Sequence, residues 1–153
     1  MLGDRQPNPA ECNLLAIRQA ARHVTQFYDQ HLVPTGLRAT QFGILAKIER
    51  QGPITINALA ADLVMDRTTL GRNIRPLERD GLIAIEPGAS DRRSKEIRLT
   101  KKGEHRFRAA LRGWREAQKG FETAVGSERA SDLRARLRAV VDTEFGPGEG
   151  ARQ

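Results

Sequence analysis

The stretch that decides the fold runs from residue 54 to residue 102 and reads ITINALAADLVMDRTTLGRNIRPLERDGLIAIEPGASDRRSKEIRLTKK. Its pattern predicts a short helix, a tight turn, a second helix, and then two strands joined by a polar, basic loop. Thr55 and Asp66 suit the N-cap positions of the two helices, because a side-chain oxygen there can accept a free backbone N–H. Gly81 is expected to end the second helix.

The turn and the second helix carry their own signals. Val64 and Met65 form the turn and are apolar enough that we expect both to anchor it to the core. Pro76 cannot donate to the carbonyl of Arg72, which predicts a kink or an irregular last turn. The alternative, which we favour, is that the proline only shapes the packing there. The buried stripe of the second helix is marked by Leu70, Ile74 and Leu77.

Polar side chains cover the opposite face of this second helix. An arginine can bridge two guanine acceptors and an asparagine can pair with adenine, whereas threonines suit phosphates. Taken alone, such a face is equally typical of an ordinary solvated helix. The residues expected to contact DNA here are Arg67, Thr68, Thr69, Arg72, Asn73 and Arg75.

The two strands that follow favour the DNA-contacting interpretation of this helix face over the solvated one. Residues 82–86 and 96–100 alternate apolar and polar, as a half-buried hairpin does. A helix pair followed by such a hairpin, or wing, is a device for reading duplex DNA. In the connecting loop, Asp91 is expected to hold Arg93 by a salt bridge or to cap the loop. The cations expected to reach a groove or phosphates are Arg92, Arg93 and Lys95.

Four motifs in this order resemble the MarR family of bacterial transcriptional regulators, and a fifth segment, GLRATQF at residues 36–42, resembles the entry to that family's second helix. The likeness covers about residues 12–145. It implies a homodimer that binds a pseudo-palindromic operator and is released from DNA by a small molecule or an oxidant. The motifs are DRTTL at 66–70, LERDGLI at 77–83, DRRSK at 91–95 and LTKKG at 99–103.

The charge distribution agrees with an acidic partner. The chain has 153 residues and a net charge of +7. Residues 66–102 carry ten Lys or Arg and six Asp or Glu, so a quarter of the chain holds a net +4. Such a concentration of positive charge is the electrostatic footprint of a nucleic-acid-binding surface. Aromatic residues make up only 5%, which argues against stacking platforms for single strands.

We therefore expect a mainly α fold with a small β-hairpin wing (α+β), as one domain over residues 1–153. The winged helix-turn-helix would occupy residues 38–102. Periodic apolar positions predict long helices at 11–33 and 104–145, which the resemblance assigns to dimerisation. The alternative is a monomer that folds these helices onto itself. The two ends of the chain are expected to be frayed tails.

The resemblance also implies an effector pocket between the dimer helices and the winged region. Aromatic and imidazole groups, with Arg22 or Arg38 nearby, would suit a small aromatic carboxylate. Each of these side chains has a plainer interpretation as a core residue or an interface histidine. The candidates by position are His23, Phe27, Tyr28, His31, Phe42 and Trp114.

Cys12 is the single cysteine, at the start of the first predicted helix. The peroxide-sensing branch of the family has a cysteine near this place, but Cys12 falls about two residues earlier, and Leu14 occupies the sensing position. Tyr28 does fall where that branch has a helper tyrosine. Cys12 is thus a redox candidate, with a small apolar packing residue as the alternative.

The function expected from all this is a sequence-specific, homodimeric repressor released by a small-molecule effector, for which an aromatic compound is the candidate. The alternatives are a peroxide-responsive regulator acting through Cys12 and a winged-helix nucleic-acid-binding protein without a regulatory role. Neither metal-ligand spacing nor a nucleophile–base set is recognisable, so we expect no metal, cofactor or catalytic residue. The chain shows no signal peptide or membrane span, and we expect it in the cytoplasm.

Overall fold

A computed structural model describes residue 6 and residues 8–146. The predicted tails fall largely outside this part of the chain. The described residues divide into two compact units, one up to Glu116 and one from Ala117 onward. The elements, in order, are α1 (Asn13–Leu32), α2 (Ala39–Gln51), β1 (Ile54–Thr55), α3 (Ile56–Asp62), α4 (Arg67–Arg79), β2 (Ile83–Pro87), β3 (Lys95–Leu99), α5 (Lys101–Val125) and α6 (Ser127–Val141), with short 3₁₀ turns at Pro9–Glu11 and Val33–Thr35.

The predicted fold class, mainly α with a small β wing, is confirmed. All the predicted helices are present, and the hairpin strands are each offset by one residue from their predicted bounds. The sheet nevertheless has three strands rather than two, in the order β1-β3-β2. Ile54 pairs with Ile97, and Ile97 also faces Ile85 on the other side. The two-residue strand β1 therefore ties the start of the helix-turn-helix to the wing.

The core of the first unit is built by α2 together with the helices α3 and α4 that follow it. Leu70, Ile74 and Leu77 are buried as predicted. They pack with fully buried side chains that include Ile44, Leu45, Ile48, Leu59 and Ile97. Burying a large aliphatic side chain contributes roughly 1.5–3 kcal/mol, so this cluster fixes the two helices against the sheet.

The turn between α3 and α4 differs from its prediction at one residue. Met65 is half-buried and packs on the core, but Val64 is 70% exposed. The backbone explains why: Val64 has a φ of 52°, the left-handed region, which ends α3 and directs its side chain into solvent. The amides of Val64 and Met65 donate back to the carbonyls of Ala61 and Ala60, a Schellman ending. The expectation that Val64 anchors the turn was wrong.

Helix α4 continues past Pro76 to Arg79. Beyond the proline, the amide of Asp80 donates to the Pro76 carbonyl at 3.0 Å. Gly81 then takes a φ of 71° and its amide donates to Glu78, which is the helix end predicted for this glycine. The proline is accommodated inside the helix without ending it.

Helix α5 passes very close to the end of α1 and to the start of the wing. A Cβ on Gly113 would collide with the carbonyl oxygen of His31, and one on Gly103 with that of Leu82. Arg106 also donates to the carbonyl of Thr35 at 2.9 Å. These two glycines allow the first part of α5 to pack directly against neighbouring backbone.

Candidate nucleic-acid interface

The N-terminus of α4 is held by Asp66. Its carboxylate accepts the backbone N–H of Thr69 at 2.7 Å and the Thr69 hydroxyl at 2.8 Å. The first of these bonds is the main reason why the pKa of Asp66 lies below its ordinary value, and the positive charge of Arg72 adds to it. The predicted cap is confirmed, and it fixes the end of α4 from which the predicted DNA contacts project.

Most of the side chains predicted to contact DNA from α4 are exposed. Arg67, Thr68, Arg72 and Arg75 are open to solvent, whereas Thr69 and Asn73 are half-buried. Asn73 donates one amide hydrogen to the carbonyl of Thr69 at 2.8 Å, so part of its hydrogen-bonding capacity is used within the helix. The helix thus presents three arginines and a threonine outward.

The wing loop has a defined shape at its tip. The amide of Gly88 donates to the Ser94 carbonyl at 2.9 Å, and the amide of Ser94 donates to the Asp91 carbonyl at 3.1 Å. The Asp91 carboxylate accepts the backbone N–H of Arg93 at 2.9 Å. Of the two roles predicted for Asp91, the loop cap is therefore confirmed. Arg92, Arg93 and Lys95 lie exposed around this tip.

In the part of the chain that the structure describes, the six cations predicted to contact DNA have no carboxylate partner in an ion pair, whereas the nearby Arg98 has one. Arg98 forms two hydrogen bonds to Glu86, at 2.8 and 3.1 Å, which lower the pKa of that carboxyl. Within residues 8–146, none of the six forms an ion pair. An unneutralised cation is available to a phosphate or a base edge. The six are Arg67, Arg72, Arg75, Arg92, Arg93 and Lys95.

The far end of α4 is joined to the start of α5. The Thr100 hydroxyl donates to the carbonyl of Gly81 at 2.6 Å, and the Lys102 ammonium donates to that of Asp80 at 2.7 Å. The amide of Gly103 donates in turn to the Thr100 hydroxyl at 3.0 Å. These bonds satisfy carbonyls that a helix C-terminus leaves open, and they connect the orientation of α4 to α5.

A cavity of about 370 Å³ is bordered by α1, α2 and α5. Three of the six predicted effector-pocket residues, Tyr28, Phe42 and Trp114, line it. Phe42 stacks between Phe107 and Trp114, with ring centroids 5.2 and 6.0 Å apart, so its ring also belongs to the core. The volume is within the range of small-molecule sites.

The other three predicted pocket residues do not line this cavity. His23 is exposed on α1. Phe27 and His31 contact each other edge to face at a centroid distance of 4.7 Å, and the His31 Nδ1 lies 2.9 Å from the Phe27 carbonyl oxygen. Arg38 pairs with Asp29 at 3.7 Å and points largely into solvent. A role of these residues in effector binding stays a prediction.

Two cations that the sequence reasoning missed, Lys47 and Arg50, line the cavity. Lys47 forms an ion pair of 2.9 Å with Asp62 of α3, which is the principal reason why the pKa of Asp62 lies below its ordinary value. Their spacing of three residues places both on one face of α2, next to the small residues Gly43 and Ala46. The sequence shows that these small and basic residues share one face of α2, but it does not show that this face borders a cavity.

Cys12 caps α1, with its sulfur accepting the amide of Leu15 at 3.4 Å, and it is exposed. The apolar packing alternative does not describe an exposed thiol. No cluster of three or more metal-ligating side chains occurs in the part of the chain that the structure describes. In the same part, no helix has the length and apolar character needed to span a membrane.

Comparison with known proteins shows which family and which solved structures this chain resembles. The model of the MarR family matches residues 37–95. MosR, a transcriptional regulator of M. tuberculosis whose structure was solved with DNA, is 39% identical, with a TM-score of 0.74 over 85% of this chain and 96% of that one. YwoH, an uncharacterized HTH-type regulator of Bacillus subtilis, is 31% identical over 60% of this chain and 66% of its own length.

BadR, a transcriptional activatory protein of Rhodopseudomonas palustris, is 34% identical over 46% of this chain. The match spans only 42% of BadR, so the likeness to these curated relatives is partial. This chain is a winged-helix, DNA-binding transcriptional regulator. The class is indicated by the capped helix with its unpaired cations, by the basic wing and by these relatives. The chain belongs to the MarR family.

Proposed function

We propose that this chain is a homodimeric repressor that reads a pseudo-palindromic operator with α4 and the wing. The observation that carries the proposal is the set of six exposed cations on α4 and the wing, none of them in an ion pair within residues 8–146. In proteins of this architecture, α4 enters the major groove and the wing reaches the adjacent minor groove or phosphates. MosR, which is 39% identical, was solved in complex with DNA, and this supports DNA as the partner.

Within this proposal the two cationic groups have different tasks. Arg72, aided by Arg67 and Arg75, contacts base edges from the first turns of α4. Arg93, with Arg92 and Lys95, contacts the sugar–phosphate backbone or the minor groove. Thr68 and Thr69 suit phosphates near the helix N-terminus, and Asn73 keeps its amide oxygen and one N–H for a base edge besides its bond to Thr69.

The proposed homodimer is supported by apolar side chains that the single chain leaves in solvent. On α1, Leu14 and Ile17 are 65% and 45% exposed, and on α6 Leu137 and Val141 are 43% and 62% exposed. Long helices with one unpartnered apolar face are typical of dimerisation elements. A second copy would bury these faces and present two copies of α4 about one turn of duplex apart.

The effector proposed for the repressor is a small aromatic carboxylate held in the 370 Å³ cavity. Phe42 and Trp114 supply flat apolar walls, and Lys47 and Arg50 supply the positive charge that a carboxylate requires. The ligand must bind the state that cannot bind DNA more tightly than it binds the DNA-binding state. Otherwise it does not shift the equilibrium between the two states.

The experiment that tests the proposal is a gel-shift titration on the DNA upstream of the protein's own gene, with unrelated competitor DNA. It is repeated with aromatic acids and with peroxide. We expect a competitor-resistant complex that an aromatic acid dissolves. Dissolution by peroxide alone would transfer the sensing role to the exposed thiol of Cys12, and the absence of a specific complex would overturn the proposal.

A further inference from the structure

The cavity combines an apolar body with a positively charged wall. Tyr28, Phe42 and Trp114 surround its interior, and Lys47 and Arg50 of α2 carry its charge. Among the described residues that line it, none carries a carboxylate. Arg50 forms no ion pair within residues 8–146, so its charge is open to an anion, and the lining favours an anion with a flat apolar body.

Besides lining the cavity, Lys47 contacts a residue of the helix-turn-helix. Its ammonium lies 2.9 Å from a carboxylate oxygen of Asp62, the last residue of α3. Gln51 donates to the same oxygen at 3.1 Å. Lys47 and Asp62 are each between one third and one half exposed at their side chains, so a ligand or solvent can reach the pair.

We propose that Lys47 is the residue that both selects an anionic effector and transmits its binding to the helix-turn-helix, by being shared between the effector carboxylate and Asp62. This inference rests on the proposed function and deepens it. A carboxylate that enters the cavity approaches the ammonium from the α1–α5 side. It thereby places a second negative charge close to Asp62.

The consequence for α3 follows from elementary electrostatics. An ammonium has three donors and can serve two carboxylates, but the two carboxylates repel each other. Binding of the effector therefore weakens the tie between α2 and α3. Because Leu59 of α3 and Leu70 of α4 share one buried cluster, a displacement of α3 is felt by α4. By linkage, the Lys47–Asp62 pair also weakens effector binding in wild-type protein.

The selectivity half of the inference is tested without DNA, through fluorescence of Trp114, the single tryptophan of the chain and part of the cavity wall. The probes are benzoate and 4-hydroxybenzoate, with benzamide as a neutral control of the same shape. We expect both acids to quench Trp114 and Lys47→Met to weaken them at least tenfold, because methionine keeps the apolar stem without the charge. Benzamide binding should not depend on Lys47.

The matched control is Lys119→Met, the same substitution at an exposed lysine that does not line the cavity. It should bind the acids as wild type does. Equal affinity of wild type and Lys47→Met for the acids would overturn the inference, as would failure of both acids to bind wild type at all.

The transmission half is tested with Asp62→Asn, which keeps the shape of the side chain and removes its charge. We expect this variant to bind the acids several-fold more tightly. We also expect its operator affinity to be lower without ligand and to change little when the acid is added. An acid-induced loss of operator affinity as large as that of wild type would overturn the relay through Asp62.

The proposed function and the relay through Asp62 can fail independently of each other. If wild type forms no specific DNA complex, the proposed function fails, while the fluorescence titrations still decide whether Lys47 selects anions. If the operator complex forms and the acids dissolve it equally in wild type and Asp62→Asn, only the relay fails.

Discussion

The carboxylate of Asp66 shows how one side chain can define a binding surface. It accepts two hydrogen bonds from Thr69 and thereby sets the first turn of α4. An N-cap also leaves the remaining amides of that turn, and the positive end of the helix, directed outward. The arginines on α4 are thus presented from a helix end whose geometry is fixed locally.

Acid should weaken this cap. Because the pKa of Asp66 is lower in the folded protein than in the unfolded chain, its contribution to stability is complete above about pH 4, the ordinary value for aspartate. It is lost as the pH falls through the folded pKa. Asp66→Asn retains a capping oxygen that does not titrate. Urea denaturation at pH 7 and pH 3 should therefore show that the free energy of unfolding falls more for wild type than for Asp66→Asn. An equal fall in both proteins would contradict the role of Asp66 as a titrating N-cap.

Arg72 and Arg93 should differ in the kind of DNA binding they support. If Arg72 reads a base, Arg72→Ala costs about 1–3 kcal/mol on the operator and relaxes the preference at one position. Arg93→Ala should instead weaken operator and unrelated duplex alike and reduce the salt dependence of binding. Fluorescence anisotropy with singly substituted operators measures both. Arg98→Ala is the control, because Arg98 is already paired with Glu86. Unchanged affinity of Arg72→Ala would refute the assignment of α4 as the recognition helix.

At the scale of elements, α3 and α4 end in the same way with different residues. Both have a Schellman ending, with Val64 in the left-handed position of one and Gly81 in that of the other. A β-branched residue is strained there, whereas glycine is not. The helix-turn-helix therefore carries a local strain at an exposed residue that leads directly into α4.

Relief of this strain should be measurable. Val64→Gly is expected to raise the free energy of unfolding by about 1 kcal/mol, since the lost strain exceeds the entropy that glycine adds to the unfolded chain. Gly81→Val should lower it by about 1–2 kcal/mol. Thermal and chemical denaturation of both variants provide the values. A destabilised Val64→Gly protein would show that the exposed valine contributes a contact that outweighs its backbone cost.

The elements that sequence reasoning located are those with local signals. The caps Thr55 and Asp66, the stripe ending at Leu77 and the helix end at Gly81 depend on neighbouring residues, and all were predicted. Strand β1 was missed because two residues have no periodicity, and Ile54 is a strand only through its pairing with Ile97. The orientation of Val64 was missed for a related reason, since hydrophobicity does not report a left-handed backbone.

The cavity marks the limit of sequence reasoning about the site. The six aromatic and histidine candidates were chosen by their positions on the first, second and fifth helices, and three of them line the cavity. Lys47 and Arg50 were missed because the sequence of α2 alone does not tell which of its faces meets α1 and α5. The pairing of Lys47 with Asp62 is a tertiary contact between residues fifteen positions apart.

At the scale of the whole molecule, the account requires a dimer. One copy of α4 reads only a few base pairs, whereas two copies read half-sites a helical turn apart. Leu137→Glu on α6 should therefore lower the mass in solution towards that of a monomer and weaken operator binding, although it removes no DNA contact. Light scattering after gel filtration measures the mass.

Ala135→Glu provides the control for this prediction. Ala135 is exposed on α6 about 200° around the helix from Leu133, so it lies away from the apolar positions. The control should remain dimeric and bind DNA normally. A monomeric wild-type protein that binds its operator tightly would contradict the homodimer.

Whether this chain is a regulator that recognises a particular DNA sequence is decided by the ratio of two affinities. It is the affinity of the full-length protein for its operator divided by its affinity for unrelated duplex, both measured by anisotropy at one physiological salt concentration. We expect a ratio of about a thousand or more. Comparable affinities for the two duplexes would contradict it and would identify the cationic surface as a general nucleic-acid-binding face.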